Sequence, residues 1–172
     1  MKQTIRKGVF ETNSSSIHTL TIFKDDDRDH IKLLEDFDSY HISIETGEYG
    51  WEWDTLNTPI EILSYLYTYA CSLGKDNEYV IKLKEMLPNT NFIEPNYTSY
   101  SDTDRQYLED GYIDHYEDFY NQLDFIFNDK EELARCMFNG EIRTGNDNSY
   151  DTDSLFENYD SSEVRNFIEK GN

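Results

Sequence analysis

At 172 residues, with 37% hydrophobic and 15% aromatic content, the chain is long and apolar enough for one domain with a real core, which excludes a disordered acidic tail. Asp and Glu number 36 against 15 Lys and Arg, and the resulting charge of −21 disfavours direct binding of nucleic acid or anionic membrane while attracting basic surfaces. Cys71 and Cys136 are the two cysteines, too few for a disulfide framework, so a reducing cytosol is the expected setting.

No apolar h-region follows Lys2, Arg6 and Lys7, and no apolar run reaches the length of a membrane span, so neither a signal peptide nor a membrane anchor is expected. The negative charge is uneven. Residues 87–172 hold 20 acids and 6 bases, twice the excess of the first half, so a charge-based function is expected there.

In chain order, Ile5 to Phe10 reads as a short strand and Ile17 to Phe23 as a second, with His18, Leu20 and Ile22 sharing the apolar face. Lys24 to Asp29 is expected to cap a short helix over Ile31, Leu33 and Leu34. Tyr40 to Asp54 reads as a hairpin turning at Thr46-Gly47-Glu48. Thr58-Pro59-Ile60-Glu61 combines an N-cap Thr, Pro at the first helical position and a capping-box Glu, so a helix is expected to run to Leu73 and stop at Gly74. Its apolar residues surround most of its circumference, which marks it as the central buried helix.

A second helix is expected from Glu78 to Leu87, then a strand over Asn91 to Glu94 and a Tyr-rich loop from Pro95 to Asp102. Leu108, Tyr112, Tyr116, Phe119, Leu123 and Ile126 recur at spacings of three and four, a helical stripe that Gly111 can divide. Asn128 and Glu131 form a capping box for a helix closed at Asn139-Gly140. Glu141 to Thr144 reads as a short strand, and Asp160 with Glu163 as the cap of a last helix with Val164, Phe167 and Ile168 inward. The expected fold is α+β: one compact domain over residues 1–172, a small antiparallel sheet packed against four to five helices. The acidic Tyr-rich segment 94–129 is a candidate for a distinct lobe.

Three places carry groups suited to chemistry. Glu11 to Ser16 is a polar knot that His18 follows, and Ser14, Ser15 or Ser16 beside His18 offers a nucleophile and a base in outline. Backbone N–H groups in such a turn can also cradle a phosphate, and the same residues read equally as caps of a turn between strands. The second place is Thr144-Gly145-Asn146-Asp147-Asn148, either a tight turn or a set of amide and carboxylate groups that the fold brings to the knot. An enzyme built from both motifs would use Ser14, Ser15, Ser16, His18 and Asp147, within a polar site of Asn13, Ser15, His18, Asn146, Asp147 and Asn148. The third is the segment 94–129, with ten acids and the single base Arg105. On a helix, Asp102, Asp104, Glu109, Asp110, Asp114, Glu117 and Asp118 can imitate part of the charge row of duplex DNA, and they are the candidate partner-binding residues.

Asp25, Asp26, Asp27, Asp29 and His30 are hard-ligand types without the Gly and terminal Glu of a calcium loop, so no metal site is expected. No Walker A loop, dinucleotide fingerprint, CxxC pair or HExxH occurs, and no cofactor is expected.

The segment R-K-G-V-F-E-T-N-S-S-S-I-H-T-L resembles the opening of a group of small phage and prophage-associated proteins, some with a later T-G-N-D-N-like turn. The matching residues here are Arg6 to His18 and Thr144 to Asn148. The resemblance implies a phage-type setting and a polar site, and it carries no catalytic role. With the charge, it leads to the expectation of an anti-CRISPR or anti-restriction type inhibitor in the host cytosol, a nucleic-acid mimic docking on a basic, nucleic-acid-binding host effector. The alternative is a small enzyme acting on a nucleotide or protein substrate.

Overall fold

The computed structural model describes residues 16–24, 27–74, 77–99, 106–114, 123–146 and 163–170. In chain order their elements are β1 (Ser16–Phe23), α1 (His30–Ser39), β2 (Ser43–Ile44), β3 (Glu48–Tyr49), β4 (Asp54–Leu56), α2 (Pro59–Ser72), α3 (Glu78–Met86) and β5 (Asn91–Phe92). Then follow β6 (Tyr97–Ser99), β7 (Gln106–Leu108), β8 (Tyr112–Ile113), α4 (Asp124–Asn128), α5 (Lys130–Asn139), β9 (Gly140–Asn146) and β10 (Val164–Lys170). This is the expected α+β class, a small antiparallel sheet with helices packed against it.

The sheet has the order β10-β1-β9-β4, with antiparallel neighbours throughout. Being interior, β1 is buried on both faces from Ser16 to Ile22, so its alternation separates two buried layers rather than core from water. Leu20 and Ile22 enter the main apolar cluster, which also takes Leu34 and Phe37 of α1 and Leu133, Cys136 and Met137 of α5.

The middle of that cluster is α2. Thr58 caps it as expected: its hydroxyl accepts from the Glu61 N–H, and the Glu61 carboxylate accepts from the Thr58 N–H at 3.0 Å. These bonds hold the Glu61 carboxyl below the usual carboxylate range, the Thr58 side chain contributing most. Ile62, Leu63 and every residue from Tyr65 to Cys71 are buried, and Gly74 at φ 128° ends the helix. The tyrosine hydroxyls need partners at such depth. Tyr67 donates to the Ile93 carbonyl at 2.9 Å, and Tyr79 of α3 donates to Asp124 while its ring stacks on Phe127 at 4.3 Å. In the last turn of α1, the buried Asp38 carboxylate accepts from the Asn89 and Thr90 N–H groups, the Asn89 amide and the Thr90 hydroxyl. That contact fixes the entry to β5.

Several expected elements are replaced. Tyr40 to Asp54 is not a hairpin, because β2 pairs in parallel with β5 and β3 in parallel with β8. The expected loop from Pro95 contains β6, which pairs antiparallel with β7. The helical stripe through Leu108 and Tyr112 gives way to β7 and β8 around Gly111 at φ 131°, where a side chain would collide with the Gly47 carbonyl oxygen at 2.8 Å. The last expected helix, over Val164, Phe167 and Ile168, is instead β10 against β1. At α5 the cap is Asp129 rather than Asn128, accepting from Glu131 and Glu132 N–H groups. The strand expected over Ile5 to Phe10 lies outside the described residues.

Candidate functional site

Ser16 and His18 are two residues apart on β1 and therefore share a face. His18 is 0% exposed and Ser16 1%. The Ser16 hydroxyl donates to the Asp114 carbonyl at 2.8 Å, and His18 Nε2 lies 3.0 Å from Ser16 Oγ and 2.9 Å from the same carbonyl. On the far side of the ring, Tyr65 Oη is 3.1 Å from Nδ1. Burial raises the Tyr65 phenol strongly, with Tyr69 and Tyr49 adding to it, so the phenol keeps its proton and donates it to Nδ1. The Nε2 position then carries the hydrogen and points it at two oxygens.

That wiring is the reverse of a nucleophile and its base. A general base needs a bare nitrogen facing the hydroxyl proton. Here the hydroxyl proton of Ser16 is directed to a carbonyl, and the nitrogen facing Ser16 is the one bearing hydrogen. Gly50 closes the site from above: its φ is 102°, and a side chain there would come within 2.9 Å of the His18 ring. The cluster ties β1 to α2 and to the end of β8.

The described parts of the two polar motifs, Ser16 to His18 and Thr144 to Asn146, pair with each other. Ser16 stands opposite Asn146, Ile17 opposite Gly145 and His18 opposite Thr144 in the β1–β9 register. Thr144 to Asn146 is strand, so that part of the expected turn is corrected. Asn13, Ser14, Ser15, Asp147 and Asn148 lie outside the described residues.

Of the acidic candidates, Glu109 and Asp110 are exposed at the β7–β8 turn and Asp114 is half-buried just after β8. The Asp110 carboxylate accepts from the Asn96 amide, and its carbonyl accepts from the Thr46 hydroxyl. These three acids therefore do not form a row along a helix. Asp102, Asp104, Glu117 and Asp118 lie outside the described residues. In the Asp-rich run, Asp29 is the N-cap of α1, accepting from the Lys32 N–H at 3.0 Å. His30 is buried, while Asp25 and Asp26 lie outside.

A cleft of about 420 Å³ opens beside the tie. Its walls carry three carboxylates, Glu48, Glu52 and Asp54, and three aromatic rings, Trp51, Trp53 and Tyr112, with buried Thr144 at its base. Trp51 is 60% exposed and Tyr112 39%. The Trp53 indole lies against Gly145, where a Cβ would approach it to 3.0 Å. Two phenols register the local negative potential. Tyr112 is raised by burial and then by Glu48, Asp114 and Glu52, and Tyr49 is pushed up to about 12 by burial and then by Asp54 and Glu61. No expectation from sequence singled out this cleft. Its signal is the interleaving of acids and rings in Glu48-Tyr49-Gly50-Trp51-Glu52-Trp53-Asp54, which also reads as plain strand alternation.

Compared with known proteins, the chain matches no family model, no curated protein and no solved structure. Among the described residues no helix is long and apolar enough to cross a membrane.

Proposed function

We propose that the chain is an acidic accessory protein of phage type that binds and blocks a basic, nucleic-acid-handling surface of a host defence nuclease in the host cytosol. The observation that carries this is a convergence of charge. Glu48 and Glu52 come from one part of the chain and Asp114 from another, and the β3–β8 pairing brings all three near enough to Tyr112 to raise its phenol, with Asp54 lining the same cleft as Glu48 and Glu52. Such a face draws a cationic partner at long range and holds it through close pairs with Arg or Lys. The imitation of nucleic acid rests on this clustered field, not on a helical row.

An enzyme using Ser16 and His18 is the competing reading, and the burial and hydrogen-bond polarity of that pair weigh against it. The test is a titration of purified defence nucleases with the chain. Binding to a basic surface gives inhibition that saturates at equal stoichiometry and weakens with salt. Inhibition at far below equal stoichiometry, abolished by Ser16→Ala in a variant that still unfolds cooperatively above the assay temperature, would establish the enzyme instead.

A further inference from the structure

The cleft over Thr144 has a composition that selects its occupant, and we infer that it receives an arginine side chain of the basic partner. The inference rests on the reading of the chain as a binder of basic surfaces and names the chemistry of the contact. Three features combine. The volume of about 420 Å³ falls in the range of ligand-sized pockets, far larger than a bare ion needs. Among the described residues no three Asp, Glu, His or Cys side chains converge closely enough to hold a metal, so Glu48, Glu52 and Asp54 do not converge on a single ion. Half of the wall groups with chemistry are aromatic, and two of the three are indoles.

An aromatic wall and a carboxylate wall together match one side chain best. Guanidinium is planar and weakly hydrated, so it stacks on an indole face. Its fork of N–H donors also pairs with carboxylates in two-point fashion. A lysine ammonium satisfies the charge but is compact and strongly hydrated, and it makes poorer use of the rings. Nucleic acid is repelled by the same acids. Burying the cation between rings and carboxylates also lowers the exposure of Trp51, Trp53 and Tyr112, three of the exposed aromatic residues.

The chain supplies its own probe. Trp51 and Trp53 are its two tryptophans, and both line the cleft, so intrinsic tryptophan emission reports on this site alone. The experiment titrates the full chain with a tetra-arginine amide and, separately, with a tetra-lysine amide at about 0.05 M salt, following emission and calorimetric heat together. The arginine peptide is expected to change emission saturably and to bind more tightly than the lysine peptide. Glu48→Gln with Glu52→Gln is expected to weaken it about tenfold or more, since charge-assisted contacts are lost. Removing the same charge elsewhere, by Asp36→Asn with Glu85→Gln, is expected to change affinity less than about twofold, as for exposed charges screened in water. A melt of each variant confirms that it is folded.

Binding heat without any change in emission, or equal weakening by both double variants, overturns the cleft while leaving diffuse attraction to basic surfaces standing. Equal affinity for the two peptides overturns the choice of arginine. If neither peptide binds, the cleft inference fails, and the broader reading is then decided by nuclease inhibition alone.

Discussion

Tyr65→Phe tests whether the Ser16–His18–Tyr65 cluster is a structural tie. The change removes one oxygen and keeps the ring that packs edge-on against Tyr49 at 5.1 Å and near His18 at 6.0 Å. Packing is therefore conserved, and the cost comes from His18 Nδ1, a buried acceptor left without its 3.1 Å donor. An acceptor stranded in a dry interior costs about 1–3 kcal/mol. For a chain of this size each kcal/mol moves Tm by about 2–4 °C, so a drop of about 2–12 °C is expected. Ser16→Ala should cost less, about 0.5–1.5 kcal/mol, because the Asp114 carbonyl still accepts from His18 Nε2 at 2.9 Å. Members of one hydrogen-bonded network couple by about 0.5–3 kcal/mol, so the double variant should depart from additivity. Denaturant melts of the two single variants and the double variant give all of these values. A Tyr65→Phe cost below about 0.5 kcal/mol, with strict additivity, would refute the tie and its proton assignment.

Other outcomes follow from the same structure. Leu66 is 0% exposed at the centre of α2, so Leu66→Ala should cost about 2–5 kcal/mol in denaturant melts. Thr58→Ala removes the α2 cap and should cost about 0.5–2 kcal/mol. Alkaline stability has a defined sign. Tyr49 titrates near 12 in the fold against 10.0 outside it, and Tyr65 and Tyr67 are raised as well. Their contribution is complete below pH 10 and is lost as pH rises through the folded values. Melts between pH 10 and 12 should therefore show falling Tm, with an additional rise in tyrosinate absorbance, above that of the exposed tyrosines, accompanying unfolding.

What could be read from the chain was mainly what is encoded locally. The α2 boundaries follow from Thr58, Pro59, Glu61 and Gly74, whose effects act within a turn or two. Where a segment's structure is set by a distant partner, its own pattern misleads. Val164, Phe167 and Ile168 carry helical spacing, yet pairing with an eight-residue strand far upstream makes them part of β10. Likewise the parallel pairs β2–β5 and β3–β8 join short stretches 48 and 64 positions apart, judged from Ser43 against Asn91 and Glu48 against Tyr112. No local signal announces such partners. The cap of α5 moved by one residue because Asn128 and Asp129 are both able to cap.

The candidate site divides in the same way. His18 and the serines stand out in sequence as chemistry-bearing types, and Thr144 to Asn146 as a second polar stretch. Sequence does not show that His18 is closed off by Gly50 and by a carbonyl 96 residues away. Nor does it show that the Trp51 and Trp53 pair faces Tyr112 across a cleft.

The most direct test of the central claim is capture of the tagged chain's partners from a bacterial lysate at about 0.05 M and about 0.5 M salt, since screening shortens from above 10 Å to well below it across that span. Captured proteins are then challenged with duplex DNA. An acidic face that occupies a nucleic-acid-binding surface should retain a DNA- or RNA-handling protein at low salt, lose most of it at high salt, and release it to the competing DNA. Retention of the same proteins at both salt concentrations, undisturbed by DNA, would contradict it.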